Sequence, residues 1–282
     1  MTVADPRRAA VLGSPIAHSL SPLLHRTAYD VLGLSGWTYE AYDVDADALA
    51  GFLGGLDQAW AGLSLTMPLK AAVLPLLDRC SDLAQAVGGA NTVLFSAEGR
   101  TGENTDVPGM VAALRERGVE RVARGSGRVL GAGATAAAAL AALQQLGEPA
   151  PRVLVRNPAT VGRLQEAAAR LGGGPEVTNW SDTESLADAR VVLATTPAGS
   201  TDELAARLPQ RVHGILFDVV YHPWPTALAR SWRDRGGQVL GGLDLLVHQA
   251  ALQVPLMTGR AVDVPALVPV LRAAAEQALR ER

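Results

Sequence analysis

Residues 128–145 read RVLGAGATAAAALAALQQ, and they contain the motif from which the fold class can be predicted. The pattern predicts the end of a strand, a glycine turn and a helix. In its G-x-G-x-x-A motif, Gly131 allows a tight turn, Gly133 lets a pyrophosphate approach the backbone, and the small Ala136 lets helix and strand pack closely. The N–H groups and the dipole at the helix start favour phosphate binding. The motif alone is a weak signal in a chain rich in glycine and alanine, so its context has to support it.

Length and composition indicate a globular protein with one large domain or two ordinary ones. The chain has 282 residues, of which 48% are hydrophobic and 19% charged, and this excludes a disordered chain. A formal net charge of −3 argues against a broad surface for nucleic acid or anionic membrane. The single cysteine, Cys80, excludes an intramolecular disulfide and fits a reducing compartment. Because the sequence has neither an apolar signal core nor a long apolar run, we expect a soluble, cytoplasmic protein.

Predicted strands and helices alternate on both sides of the glycine turn. Before it, Ser21 and Pro22 predict a helix start, with serine as the cap and proline in the first turn. A further helix is predicted from Pro68, and Glu98 with Gly99 predicts a turn. The predicted strands cover residues 8–12, 37–44, 62–66, 91–95, 152–156, 191–195, 214–218 and 238–240. This alternation predicts an α/β fold with mainly parallel sheets.

Four polar clusters lie at the ends of predicted strands, where open α/β sheets bind ligands. They are Ser19 with Ser21, Thr66 with Lys70, Asn91 alone, and Asn104 with Thr105 and Asp106. Each also has an ordinary structural interpretation, as a helix cap, a solvated lysine or a turn residue. Together they fit a small polyhydroxy acid, which needs a carboxylate clamp, hydroxyl partners and a proton-transfer pair. The sequence does not show that the lysine and the aspartate of that pair touch. The carboxylate clamp would be Ser19 with Ser21, and the hydroxyl partners would be Thr66 with Asn91. The proton-transfer pair would be Lys70 with Asp106.

Seven segments occur in the order seen in shikimate dehydrogenases, and the chain resembles that family from about residue 11 to 253. They are GSPIAHSLSPLLH, GLSLTMPLK, GGANTV, GENTD, GAGAT, FDVVYHPWPT and GLDLLVHQA. The resemblance implies an α/β fold with an N-terminal substrate domain over residues 1–106 and a Rossmann-like NADP domain over 107–240. C-terminal helices over 241–282 would pack back on the first domain. The implied reaction is reversible NADPH-dependent reduction of 3-dehydroshikimate to shikimate, toward chorismate and the aromatic amino acids.

The resemblance also implies roles for single residues. Lys70 and Asp106 match the catalytic pair, and the substrate-binding positions match Ser19, Ser21, Thr66, Asn91, Tyr221 and Gln249. Two departures stand out. Ser64-Leu65 replaces the family's Asn-Val, from which we expect little consequence. Asp244-Leu245 replaces Gly-Met close to the expected nicotinamide, and this leaves the local geometry open.

The choice of cofactor depends on the end of the strand that reads VLVRNP. An acid at this point selects NAD by accepting from the ribose hydroxyl, but here Arg156 stands there and can pair with the 2′-phosphate of NADP. A solvated arginine is the alternative. The predicted cofactor-binding positions are Gly131, Ala132, Gly133, Ala134, Thr135, Arg156, Asn157, Thr195, Thr196, Val219 and Gly242. The five histidines are scattered without metal-ligand spacing, so no metal is predicted.

Three alternatives remain. A quinate/shikimate or aminoshikimate dehydrogenase resembles the same family throughout. A catalytically silent NADP-binding regulator predicts the loss of Lys70 or Asp106, and both are present. An unrelated Rossmann dehydrogenase leaves the matches at Ser19, Ser21 and Gln249 unexplained. The sequence leaves open whether the chain is a homodimer or a monomer.

Overall fold

The computed structural model describes residues 7–281 and divides into two compact units. The first unit contains the described residues up to Thr105 and those from Leu246 onward. The second unit is Asp106–Leu245. The predicted α/β class with two domains is confirmed. The return of the C-terminal helices to the first domain is confirmed as well, because the last helix of the chain packs in the first unit.

The first unit is built on a six-stranded mixed sheet with the order β2-β1-β3-β5-β6-β4. Its strands are β1 (Arg7–Gly13), β2 (Trp37–Asp43), β3 (Trp60–Leu65), β4 (Arg79–Cys80), β5 (Thr92–Ser96) and β6 (Gly99–Glu103). Its helices before the second unit are α1 (Ser21–Val31), α2 (Leu49–Gly54), α3 (Leu69–Ala72) and α4 (Asp82–Val87). β1 runs parallel to β2 and β3, whereas β5 runs antiparallel to both β3 and β6.

Three local predictions in the first unit need correction. The N-cap of α1 is Leu20, which makes no side-chain cap hydrogen bond in the described structure, so the prediction that Ser21 caps this helix was wrong. The helix expected from Pro68 is only four residues long, because Pro75 lacks an N–H donor and lies in a following 3₁₀ turn. β6 was not predicted, since its two glycines weaken the strand pattern in GRTGE.

The second unit is a parallel sheet with the order β12-β11-β10-β7-β8-β9. Its strands are β7 (Gly127–Leu130), β8 (Arg152–Val155), β9 (Glu176–Asn179), β10 (Val191–Ala194), β11 (Ile215–Asp218) and β12 (Gln238–Leu240). Numbered from β7, this is the doubly wound order 3-2-1-4-5-6, and the strand order reverses between β7 and β10. Ligands bind such sheets at the carboxyl ends of the strands beside that reversal.

Helices flank both sheets. In the second unit they are α5 (Asp106–Glu116), α6 (Ala134–Gln145), α7 (Gly162–Arg170), α8 (Asp202–Ala206) and α9 (Ala227–Asp234). α10 (Gly242–Thr258) begins in the second unit and continues into the first, where α11 (Val264–Arg280) packs on α1. Within residues 7–281, no helix is long and apolar enough to span a bilayer.

Each unit has its own core. In the first unit Leu12 of β1, Leu63 of β3 and Leu69 of α3 belong to one core cluster and are inaccessible to solvent. In the second unit Leu216 and Trp232 are inaccessible to solvent. These cores hold the strand ends from which the candidate site residues project.

Candidate active site

The backbone around Asn91 brings three of the predicted polar segments together in the first unit. The N–H of Leu65 donates to the carbonyl of Asn91 at 2.8 Å, and the N–H of Ala90 donates to the carbonyl of Lys70 at 2.8 Å. The N–H of Asn91 donates to the carbonyl of Glu103 at 3.1 Å. The segments TMPLK, GGANTV and GENTD therefore meet where the neighbouring strands β3, β5 and β6 begin or end.

The side chain of Asn91 links the same segments. Its Oδ1 accepts from the N–H of Thr105 at 2.8 Å, and its Nδ2 donates to Thr105 Oγ1 at 2.9 Å and to Gln249 Oε1 at 3.5 Å. Asn104 Nδ2 donates to the carbonyl of Gly89 at 2.8 Å. Two predicted substrate-binding residues, Asn91 and Gln249, are thus neighbours although they are distant in sequence.

Thr66 and Lys70 follow β3 beside the end of β1. The N–H of Thr66 donates to the carbonyl of Leu12 at 2.9 Å. A side chain at Gly13 would collide with the methyl group of Thr66, so β1 and the TMPLK segment approach closely there. Both Thr66 and Lys70 are half-buried. The lysine therefore stands on a short helix that the neighbouring strand ends hold in place.

Ser19 lies in the loop between β1 and α1, and Ser21 is the first residue of α1. Ser19 Oγ accepts from the N–H of Ser21 at 3.3 Å, so the two serines belong to one tight turn. Ser21 is buried and its hydroxyl is not committed to capping α1. The two hydroxyl-bearing residues are thus joined at the start of α1, which suits the recognition of a carboxylate.

Asp106 and Tyr221 belong to the second unit. Asp106 is the first residue of α5 and is buried. Tyr221 lies in the loop after β11, and Asp218 shapes that loop by accepting from the N–H of Val220 at 3.1 Å and from Thr226 Oγ1 at 2.7 Å. Burial raises the pKa of Asp218. The buried carboxyl group therefore fixes the start of the loop that carries Tyr221.

The glycine turn lies at the strand-order reversal of the second unit. Gly131 has a φ of +112°, a conformation that glycine adopts without strain. A Cβ there would lie 2.8 Å from Thr195 Oγ1 and 2.9 Å from Thr196 Cγ2. Thr195 Oγ1 in turn donates to the carbonyl of Leu130 at 2.8 Å. The loops after β7 and β10 therefore press against each other, and only glycine fits between them.

A different constraint explains the glycine at position 133. Gly133 is the N-cap of α6, and among the described residues other than its two chain neighbours, no atom lies within 4 Å of a Cβ built on it. Ala136, in the first turn of α6, is fully buried. The backbone at the helix start thus faces open space, which fits the phosphates of a dinucleotide.

Arg156 follows β8 and is exposed. Its guanidinium carbon lies 5.5 Å from the centre of the Trp180 ring. Trp180 Nε1 donates to the carbonyl of Leu154 at 2.6 Å, and Asn179 Nδ2 donates to the carbonyl of Arg156 at 3.1 Å. The end of β9, a strand that the sequence analysis missed, therefore supports both the backbone and the side chain of Arg156.

The start of α10 lies against the loop after β11. The N–H of Gly242 donates to the carbonyl of Val220 at 3.1 Å, and a Cβ at Gly242 would collide with the carbonyl of Val219. Asp244 Oδ2 accepts from the N–H of Gly241 at 3.2 Å. This is half of a capping box, so Asp244 ties down the beginning of the helix.

Sequence reasoning missed Gln253, which is fully buried and bonds Ser64 and Thr92. The expectation that Ser64 has little consequence overlooked this partner. A signal was present, because Gln253 follows Gln249 by four residues and so lies on the same face of α10. Within residues 7–281, no cluster of three or more His, Cys, Asp or Glu residues is arranged to hold a metal ion.

Three kinds of similarity point to one family. A family model described as the shikimate dehydrogenase substrate binding domain matches residues 11–93. A shikimate dehydrogenase (NADP(+)) of Thermus thermophilus is 40% identical over 260 residues, which cover 91% of this chain and 94% of the relative. One of Oleidesulfovibrio alaskensis is 36% identical over 89% of both chains.

Solved structures agree with these relatives. Shikimate dehydrogenase of Mycobacterium tuberculosis has a TM-score of 0.82 at 38% identity, and the match covers 95% of this chain and 99% of that one. Shikimate 5-dehydrogenase from a second strain of Thermus thermophilus, solved in complex with NADP(H) and shikimate, has a TM-score of 0.80 at 36% identity with the same coverage. The similarity therefore extends over both units.

Proposed function

This chain belongs to the NADP-dependent shikimate dehydrogenase family, and we propose that Lys70 and Asp106 carry its reaction, the reversible reduction of 3-dehydroshikimate to shikimate by NADPH. The reaction is a step of the shikimate pathway toward chorismate and the aromatic amino acids. The observation that supports these site residues best is the polar cluster around Asn91. That cluster holds the segment of Lys70 and the residue before Asp106 together, and most of it lies in the part matched by the substrate-binding family model.

Substrate recognition is assigned to the first unit and one tyrosine of the second. The hydroxyl groups of Ser19 and Ser21 at the start of α1 bind the carboxylate, and the groups around Asn91 bind the ring hydroxyls. An analogue that lacks a hydroxyl leaves buried amides of this cluster unpaired, and this costs binding free energy. Such a cluster therefore discriminates between substrates. The substrate-binding residues are Ser19, Ser21, Thr66, Asn91, Tyr221 and Gln249.

The chain supplies a proton and a fixed geometry. NADPH supplies the hydride when it is bound. The ammonium group of Lys70 donates a proton to the oxygen that forms as the carbonyl is reduced, and it takes the proton back in the reverse direction. The carboxylate of Asp106 orients that ammonium group toward the oxygen.

Cofactor binding is assigned to the second unit. The backbone of the turn at residues 131–135 and the start of α6 bind the pyrophosphate, and Arg156 pairs with the 2′-phosphate. The support for this is the open space beside Gly133 and the position of the Arg156 guanidinium over the Trp180 ring. The other cofactor-binding residues are Asn157, Thr195, Thr196, Val219 and Gly242.

The decisive experiment follows NADPH absorbance while shikimate and quinate are each offered with NADP and with NAD. We expect turnover of shikimate with NADP and little turnover in the other three combinations. Comparable turnover of quinate, or a preference for NAD, would place the chain among the quinate/shikimate dehydrogenases. Absence of turnover in every combination would favour a silent NADP-binding regulator.

Two further expectations remain predictions. The sequence favours a cytoplasmic location and allows a homodimer. Cell fractionation tests the first, and light scattering on the purified protein distinguishes a dimer from a monomer.

A further inference from the structure

Gln253 uses both ends of its buried amide. Its Nε2 donates to the carbonyl of Asn91 at 3.1 Å and to Thr92 Oγ1 at 2.8 Å. Its Oε1 accepts from Ser64 Oγ at 2.7 Å and lies 3.3 Å from His25 Nε2. The side chain is inaccessible to solvent, so each of these bonds replaces one to water and would be costly to lose.

The direction of these bonds follows from chemistry. The backbone carbonyl of Asn91 can only accept, so the NH₂ end of Gln253 must face it. Thr92 Oγ1, on the same side, accepts a hydrogen bond from Gln253 and donates one to Asn91 Oδ1 at 3.0 Å. On the other side, Ser64 donates to Gln253 and accepts from the hydroxyl of Tyr39 at 2.5 Å. The hydroxyl protons thus all point the same way along a chain from Tyr39 to Asn91.

His25 secures the far side of Gln253. Its ring stacks on that of Tyr39, with centroids 4.0 Å apart and planes 12° from parallel. Burial lowers the pKa of His25 to about 3, so the ring is neutral at physiological pH. Because Oε1 of Gln253 can only accept, His25 Nε2 carries the proton that it donates there. The acceptor end of Gln253 therefore faces two donors, and rotation of the amide would break both bonds.

These bonds also bear on the orientation of the Asn91 side-chain amide. An asparagine amide can be turned by half a rotation, which exchanges its donor and acceptor ends. Thr92 and the N–H of Thr105 both donate to Oδ1, so Nδ2 must point toward Thr105 Oγ1 and Gln249. Gln253 also holds the backbone carbonyl of the same residue. The donor end of Asn91 is thereby fixed on the side of the other substrate-binding amide.

We infer that Gln253 is a positioning residue, which acts through Thr92 to hold Asn91 in the orientation that binds shikimate. The inference rests on the proposed role of Asn91 in substrate binding. It assigns a function to a residue that is inaccessible to solvent and bonds only protein groups in the contacts described above. A side chain that only filled the core would affect stability without any preference for one substrate.

The test is steady-state kinetics on Gln253→Met and Thr92→Val, which keep side-chain volume but remove the bonds. We expect kcat/KM for shikimate to fall roughly 5- to 10-fold in each, as for a lost buried hydrogen bond, while KM for NADP stays within about twofold. In the background of Asn91→Ala, Gln253→Met should cause no further loss, because the residue that it positions is gone.

A matched control is Gln144→Met in α6. Gln144 also donates from its side-chain amide to a backbone carbonyl, that of Leu171 at 2.7 Å, but it lies in the second unit. This variant should leave kcat/KM for shikimate unchanged. Circular dichroism and thermal melting establish that each variant is folded, and if Gln253→Met fails to fold, Thr92→Val decides the matter.

The outcomes separate the inference from the proposed function. Unchanged kcat/KM for shikimate in folded Gln253→Met and Thr92→Val overturns the positioning role while the unmodified protein still turns shikimate over. A loss that adds in full to that of Asn91→Ala overturns it too, because the effect then does not pass through Asn91. Absence of shikimate turnover by the unmodified protein overturns the proposed function, and the positioning role falls with it.

Discussion

The two units hold their candidate binding residues by different means. In the first unit, the proposed substrate site consists of buried side chains that bond one another, with Asn91 and Gln253 at the centre. In the second unit, the proposed cofactor site consists of the backbone around Gly131 and Gly133 and of one exposed arginine. A buried polar network tolerates few substitutions because every lost partner leaves another group unpaired. Backbone recognition tolerates many, provided that the glycines remain.

The largest effect is expected at the one residue whose chemistry is irreplaceable. Lys70→Ala should lower kcat by roughly two to four orders of magnitude, as for a lost general acid, and KM for shikimate should change less. Steady-state kinetics in both directions measures this, with KM for NADP as the internal control. An unchanged kcat would remove Lys70 from the mechanism and leave the first unit a binding site only.

Acid should destabilise the first-unit network through His25. The unfolded chain takes up a proton as the pH falls below 6.5, but the folded protein does not until the pH nears 3, because burial lowers the pKa of His25 to about 3. In this pH window the chain takes up a proton when it unfolds, so the free energy of unfolding decreases as the pH falls. The loss approaches about 1.4 kcal/mol per pH unit below pH 6.

Urea unfolding of the protein and of His25→Gln between pH 6.5 and 5 measures that contribution. The slope of unfolding free energy against pH should be smaller in the variant, whatever its absolute stability. Equal slopes would mean that His25 titrates alike in the folded and unfolded states.

The two glycines of the turn offer a sharper test of backbone recognition. Gly131→Ala forces a side chain into a φ of +112° and against Thr195, so it should cost about 1–3 kcal/mol of stability and weaken NADP binding. Gly133→Ala meets no neighbour, so it should leave stability within about 0.5 kcal/mol and still weaken NADP binding.

Thermal melting and NADP titration of both variants separate the two reasons for glycine. If Gly133→Ala binds NADP as tightly as the unmodified protein, the pyrophosphate does not approach the backbone there. If Gly131→Ala is fully stable, the close packing of the two loops does not demand glycine.

The smallest effect is expected at the exposed cation. Arg156→Ala should raise KM for NADP about 10-fold, in line with the loss of one charge-assisted pair, and should leave KM for NAD nearly unchanged. Comparison of the two cofactors in the same preparation provides the control. Equal losses with both would assign Arg156 to structure, together with the Trp180 ring on which it lies.

Local patterns explain what could be predicted from the sequence. The glycine turn, the strand–helix alternation and the polar residues after strands are short-range signals, and all lead to the α/β fold that the structure has. β9 was missed because EVTN is short and follows three glycines and a proline. Without this strand, the support of Arg156 by Trp180 could not be predicted.

Long-range contacts explain what could not be predicted. The partners of Gln253 include His25 and Ser64, which precede it by 228 and 189 residues. No period or motif connects such positions, and a polar residue on an apolar helix gives no sign of its partner. Ser21 shows the converse error, since its local pattern suggested a cap that the folded chain does not use.

Titration calorimetry of Asn91→Ala, with shikimate and with NADP separately, tests whether the side-chain network of the first unit recognises the substrate and not the cofactor. We predict that affinity for shikimate falls more than about 10-fold, because a buried donor and acceptor are removed from the substrate site. Affinity for NADP should stay within about twofold of that of the unmodified protein. Unchanged affinity for shikimate, or a loss of equal size for NADP, would contradict the assignment of substrate recognition to the side-chain network of the first unit.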